Sequence, residues 1–180
     1  MSLSLILVGS PRAAGVCARY AVELERQLEG RRTDSPFAPS AVIWRVCDHE
    51  VSGCVGCEAC RRRLDCAIED DMGELMDLID KVEEIHVVSP VYFAGAPSQL
   101  KCVLDRLQPY WERRRGPNAA ALQAMGGVGP DAPKRPVYLH VIGAGGDPYG
   151  FDPLVTTVRS AFGAAGFALT EVFDRIGWGQ

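Results

Sequence analysis

Apolar positions along this chain switch repeatedly between strand and helix spacing. Residues 2–8 (SLSLILV) are a short run of strand formers, and the run ends at Gly9, Ser10 and Pro11, residues that punctuate strands. From 16 to 29 the pattern is helical, with Ala18, Ala21, Val22 and Leu28 available for a buried face and Gly30 as a stop. Residues 31–39 are polar with two prolines and read as a connector. A second strand is expected at 41–46, followed by a cysteine-rich segment at 47–69. Asp70 or Asp71 can cap a helix at 72–82, where Leu75, Met76, Leu78 and Ile79 recur at helical spacing. A third strand at 84–89 stops at Pro90. A helix at 98–110 carries Leu100, Val103, Leu104 and Leu107. Residues 115–136 hold four glycines and four prolines, so a long loop is expected there. A strand at 137–142, a glycine-rich loop at 143–150, a helix at 152–165 and a strand at 167–173 complete the pattern.

Five strands alternating with helices call for an α/β fold with a parallel sheet covered on both faces. The count suits a flavodoxin-like, three-layer arrangement with strand order 2-1-3-4-5. No internal repeat or linker divides the chain, so residues 1–180 read as one domain. In such sheets ligands bind beyond the carboxyl ends of the strands, where the order reverses between the first and third. The loops after strands 1, 2, 3 and 4 all fall on that edge.

Charge and composition narrow the options. A formal net charge of −4 gives nucleic-acid binding no global electrostatic support. No apolar run approaches the ~20 residues that span a bilayer, and the first strand lacks the basic lead of a signal peptide. The expected location is cytoplasmic, where thiols stay reduced.

That compartment gives weight to four cysteines in one short window. Cys54, Cys57, Cys60 and Cys66 are spaced C-x2-C-x2-C-x5-C. Three readings compete: an iron–sulfur cluster, a zinc site, and free thiols. Zinc ranks lowest, because structural zinc sites more often pair two separated knuckles. Arg61, Arg62 and Arg63 inside the window read individually as a solvated basic turn. Two further segments carry chemistry. The loop of Gly9, Ser10, Pro11 and Arg12 leads into a helix N-terminus, which suits a phosphate. The segment of Ser89, Pro90, Val91, Tyr92 and Phe93 ends a strand with two aromatics that can flank a flat ring. His86 and His140 sit inside strands and read as core. Lys101, Asp105 and Arg106 read as structural ion pairs or subunit contacts. Arg113, Arg114 and Arg115 read as a solvated helix end, with nicotinamide phosphates as the weaker alternative.

The three segments together resemble the flavodoxin-fold NAD(P)H-dependent FMN reductases. The quoted features are GSPR, the cysteine motif before Asp-Asp-Met, and SPVYF followed by Gln99, Leu100, Lys101, Asp105 and Arg106. More narrowly they resemble the iron–sulfur flavoproteins. The resemblance implies that FMN phosphate sits on Ser10, Arg12 and the amides of Gly15, Val16 and Cys17. It places the flavin ring against Pro90, Val91, Tyr92, Phe93 and Gly95, with Gly143, Ala144, Gly145, Gly146 and Asp147 closing another side. It makes Cys54, Cys57, Cys60 and Cys66 the ligands of a [4Fe–4S] cluster. The chain departs from the family at Val16 and Cys17, where Asn and then Ser or Thr are usual, and a thiol is a weak donor.

The expected function is electron transfer from NAD(P)H through FMN to an acceptor. The acceptor would be a small molecule or a redox protein such as ferredoxin, and the protein would be a homodimer or homotetramer. Two alternatives stand beside it. One is a non-enzymatic iron–sulfur flavoprotein reduced by ferredoxin. The other is a cysteine-based redox sensor.

Overall fold

A computed structural model describes residues 3–30, 40–126, 129, 131–143 and 145–178. The connector expected at 31–39, residues 127, 128 and 130 of the long loop, and Ala144 of the glycine-rich loop lie outside the described residues.

Five strands form one all-parallel sheet: β1 (Leu3–Val8), β2 (Ser40–Arg45), β3 (Glu84–Pro90), β4 (Arg135–Gly143) and β5 (Phe167–Ile176). The order is β2-β1-β3-β4-β5, the flavodoxin-like order expected. Both faces of β1 and β3 are buried, so burial runs on from residue to residue instead of alternating, with Ser4, His86 and Ser89 as the buried polar members.

The helices divide between the two faces. α1 (Val16–Gly30) packs on the face carrying Ile6, Val8, Val88 and Ile142. Its buried stripe is Cys17, Tyr20, Ala21, Leu24 and Leu28, and Val22 points outward at 43% exposure. The 3.6-residue period, rather than apolarity alone, selects Tyr20 over Val22. α3 (Met72–Lys81), α4 (Ser98–Asp105) and α7 (Asp152–Ala164) share the larger core on the other face with Leu5, Leu7, Ile85, Val87 and Leu139.

The α1 face holds a chain of buried polar groups. Arg175 Nε donates to the Tyr20 hydroxyl at 3.3 Å, Tyr20 meets His140 Nδ1 at 2.9 Å, and His140 Nε2 meets His86 Nδ1 at 3.0 Å. An arginine only donates. The assignment consistent with these contacts is therefore Tyr20 donating to His140 Nδ1, with the His140 proton on Nε2; it leaves the His86 proton on Nε2, which lies 3.5 Å from Glu84 Oε1 and makes no hydrogen bond. Burial, His86 and Arg175 together push His140 down to about 3, so it stays neutral. Both histidines are core residues, as expected from their place in strands.

Three segments differ from their expected form. The helix expected at 98–110 is two helices, α4 and α5 (Gln108–Arg115), broken at Arg106 and Leu107. Pro109 lies in the first turn of α5, where its missing N–H costs nothing; inside a continuous helix it would break the ladder. The long loop contains α6 (Ala119–Ala124), since three consecutive alanines outweigh the flanking glycines. The cysteine segment contains the short α2 (Ala59–Arg63) after a single 3-10 turn at Val46–Asp48.

Candidate functional site

The loops after β1, β3 and β4 meet at the carboxyl edge of the sheet. They enclose a cavity of about 430 Å³ lined by Ser10, Arg12, Gly15, Val16, Cys17, Pro90, Val91, Tyr92, Ile142, Gly143 and Trp178. A second cavity of about 300 Å³ adjoins it, sharing Val91 and Gly143 and adding Gly145, Gly146, Asp147, Gly150, Phe151 and Ile176. Ile142, Phe151, Ile176 and Trp178 were not singled out in the sequence. No motif marks them; Trp178 arrives through its edge-on contact with Tyr20 at 5.0 Å between ring centroids.

The β1–α1 loop is built from backbone. Gly9 N–H donates to Val88 O at 2.8 Å. A Cβ on Gly9 would lie 2.6 Å from Leu100 Cδ2, so α4 packs against this loop too closely for any side chain. Buried Ser10 accepts from Arg12 N–H through its hydroxyl at 3.2 Å. The first helical bond of α1 runs from Arg19 N–H to Gly15 O, and Gly15 N–H itself donates to Arg12 O at 3.3 Å, so the amides of Val16, Cys17 and Ala18 are the ones with no partner in the helix. Cys17 lies 3% exposed and its thiol is pushed up to about 11, chiefly by burial, with a smaller opposing effect from Ser10. The lowered pKa that a helix N-terminus would give an exposed thiol is therefore absent here.

After β3 the chain makes a tight turn closed by Tyr92 N–H to Gly95 O and Gly95 N–H to Tyr92 O, each 3.0 Å. Phe93 and Ala94 sit at its tip with φ of +51° and +61°. Two successive left-handed non-glycine residues cost roughly 1–2 kcal/mol each, an expense tolerated mostly where function needs the shape. Tyr92 lines the first cavity. Phe93 is fully exposed, and neither it nor Gly95 lines either cavity. The Ala94 carbonyl instead accepts from Leu154 N–H at the start of α7.

The four cysteines line one small pocket of about 20 Å³ against α4 and α5. Cys54 and Cys57 are exposed; Cys60 and Cys66 are half-buried. No three metal-binding side chains converge on a point suited to a single ion among the described residues. Four thiols on one pocket are the donor set that a [4Fe–4S] cluster would take, one thiolate at each iron. The pocket as it stands is smaller than a cluster, and its Cys54–Cys57 side is exposed. Burial, and then Glu112, raise the Cys60 thiol. Arg61, Arg62 and Arg63 are exposed, as a solvated turn would be.

The base of this segment is closed by side chains. Asp71 accepts from Glu50 N–H at 2.8 Å, and Asp70 accepts from Ser52 N–H at 2.9 Å and Met72 N–H at 3.1 Å. Burial alone would raise the Asp70 carboxyl, but bonds from Arg106 and these amides outweigh it and hold it below its ordinary value. Arg106 was read as an ion-pair residue, and its pair is Asp70. Lys101 pairs with Asp105 at 2.7 Å.

The largest cavity, about 510 Å³, lies elsewhere, lined by Asp80, Tyr110, Arg113, Arg114 and Arg135 among others. Arg135 opens β4 and Gly143 closes it, so this cavity sits about 25 Å from the convergent loops. The loops, not the volume, mark the candidate site. Arg113 and Arg114 are half-buried rather than solvated: Arg113 donates to Leu64 O at 2.7 Å and Arg114 to Gly129 O at 3.2 Å.

Comparison with known proteins agrees with this geometry. The chain matches the family described as NADPH-dependent FMN reductase over residues 3–163. It belongs to that family. Within the reductase family its similarity runs to iron–sulfur flavoproteins. It is 29% identical over 125 residues to one from Archaeoglobus fulgidus, covering 68% of this chain and 54% of the relative. It is 35% identical over 101 residues to one from Methanosarcina thermophila, covering 54% and 48%. The chain thus spans about half the length of the curated relatives it matches. Solved structures share the reductase fold. RosB with a bound 8-demethyl-8-formylriboflavin-5'-phosphate intermediate superposes with TM-score 0.66 at 15% identity, over 100% of this chain and 67% of its own. A flavone reductase superposes with TM-score 0.64 at 16% identity, over 94% and 53%. No helix among the described residues is long and apolar enough to cross a membrane.

Proposed function

We propose that this chain is an FMN-dependent oxidoreductase that moves electrons from NAD(P)H to an acceptor. The observation that carries the proposal is the meeting of Ser10 and Arg12, the Pro90–Tyr92 segment, and Gly143, Gly145, Gly146 and Asp147 around one pair of cavities. Their combined shape suits a phosphate at one end and a flat ring at the other. Ser10, Arg12 and the amides from Gly15 to Cys17 would hold the phosphate. Pro90, Val91, Tyr92 and Trp178 would bracket the ring. Bound FMN would supply the redox chemistry, accepting a hydride and passing electrons on. The chain's own task is positioning and exclusion of water, which explains the lack of an acid–base constellation at the cavity.

The four-cysteine segment fits a [4Fe–4S] cluster, which would add a single-electron relay. A carrier reduced by a ferredoxin-like protein rather than by nicotinamide is the second reading. It is favoured by one observation: Arg113 and Arg114, candidates for nicotinamide phosphates, face a cavity at the other end of the sheet. Fully exposed Phe93 beside the site suits contact with a redox protein or a second copy.

An anaerobic absorbance spectrum with iron and sulfide assays, followed by NADH and NADPH addition, tests these readings. Flavin bands that bleach with either nucleotide support the reductase. Flavin bands bleached only by reduced ferredoxin support the carrier. Protein that takes up no FMN overturns both.

A further inference from the structure

We infer that Arg106 is a positioning residue for the cysteine segment, holding Cys66 as its fixed member and tuning whatever cluster Cys66 binds. Arg106 is 1% exposed and is among the largest fully buried side chains of the molecule. A guanidinium has five N–H donors, and here each has an acceptor. Nε donates to Cys66 Sγ at 3.1 Å. One terminal nitrogen donates to Ser52 O at 3.0 Å and Asp70 Oδ2 at 2.8 Å. The other donates to Ile68 O at 3.1 Å and Asp70 Oδ1 at 3.0 Å.

The placement of these acceptors gives the contact its meaning. Ser52 lies two residues before Cys54, and Ile68 two residues after Cys66. One side chain therefore ties both ends of the cysteine segment together and also touches one of the four sulfurs. Structural closure alone accounts for the bonds to Ser52, Ile68 and Asp70. It does not account for Nε pointing at Cys66. An N–H donated to a ligating sulfur, with a full positive charge behind it, stabilises the more electron-rich state of a cluster and raises its reduction potential. The same contact sets Cys66 apart from the other cysteines: it is held by a buried donor, whereas Cys54 and Cys57 are exposed.

Arg106 also couples the two halves of the site. It follows the last residue of α4, and Leu100 on that helix packs against Gly9 of the phosphate-type loop. α4 thus links the flavin loop at one end with Cys66 at the other.

This inference rests in part on the cluster reading, and the test separates the two. Arg106→Lys keeps the charge but cannot supply five donors in a plane. The neutral pair Arg106→Gln with Asp70→Asn removes both charges while keeping one side-chain acceptor for the Ser52 and Met72 amides. Far-UV circular dichroism reports that each variant is folded. In metal-free protein, at a pH where every thiol is ionised, peptide-resolved alkylation of Cys66 is expected to quicken roughly tenfold in the neutral pair, because the thiolate loses its buried donor, with Cys54 and Cys57 unchanged. In protein reconstituted with iron and sulfide, the cluster's reduction potential is expected to fall in both variants, more in the neutral pair. An unchanged potential at equal iron content would reduce Arg106 to a loop clamp and overturn the tuning. Unchanged Cys66 alkylation would overturn the positioning. Wild-type protein that takes up no iron defeats the cluster reading, while the alkylation result still decides whether Arg106 holds Cys66.

Discussion

The loop after β1 and the segment after β2 lie on the same edge of the sheet and are built by opposite means. The first is short and made of main chain: Gly9, a buried Ser10 and the free amides of α1 shape it locally, and α4 packs against it because Gly9 has no side chain. The second is long and has little regular structure beyond the five-residue α2. Its form is imposed from outside by Arg106 and Asp70. A backbone-built site tolerates most distant changes but no added atoms. A site closed by one buried ion pair tolerates changes along its own length and fails when one distant side chain is removed.

The largest expected effect comes from the second region. Asp70→Ala leaves the Arg106 guanidinium buried beside no carboxylate, which should cost about 3–5 kcal/mol in urea unfolding. A loss under about 1 kcal/mol would mean that the segment holds its shape without the pair. The first region should break in the opposite way, by addition. Gly9→Val drives a side chain into Leu100, an overpacking worth about 1–3 kcal/mol, and the cost of Gly9→Val should shrink when it is measured in a Leu100→Ala background.

Acid should separate the two regions by pH. His140, bonded to Tyr20 of α1, is held at about 3 in the folded protein, against an ordinary value of about 6.5. Its contribution is complete above that ordinary value and is lost as pH falls from there toward 3. At pH 5 this amounts to roughly 2 kcal/mol. Asp70 is depressed below its ordinary range, so its contribution persists until pH falls under about 3.9. Hydrogen exchange between pH 7 and 5 should therefore loosen α1 and the β1–α1 loop first. Equal loosening of residues 50–71 over that range would contradict the division. The smallest effect is local: Cys17→Ser replaces a weak donor with a hydroxyl at the start of α1. It should tighten FMN binding by about 1 kcal/mol, read by quenching of flavin fluorescence.

Much of this was legible in the chain. The strand pattern and the GSPR and SPVYF segments lie where sequence places them, because each depends on neighbours only a few residues away; the sheet order is also as expected, but it came with the fold class and not from local neighbours. Legibility fails where distance enters. Apolarity alone put Val22 on the buried face of α1, whereas the helical period puts Tyr20 there, and His140, far along the chain, gives its hydroxyl a partner. Helical periodicity ran through 98–110 without a break, and Pro109 divided it. Phe93 belongs to the right segment, but two left-handed residues turn its ring to solvent. Trp178 enters the cavity lining with no motif to announce it.

The sequence by itself determined the alternating α/β pattern, the family and the two segments that carry chemistry, because hydrophobic period and short motifs are local properties of a chain. Only the tertiary structure decided which cysteine is anchored and what anchors it. Arg106 stands 40 residues from Cys66 and 36 from Asp70. Nothing in a linear pattern marks five donors meeting five acceptors; that match exists only after α4 has packed and water has been excluded around it.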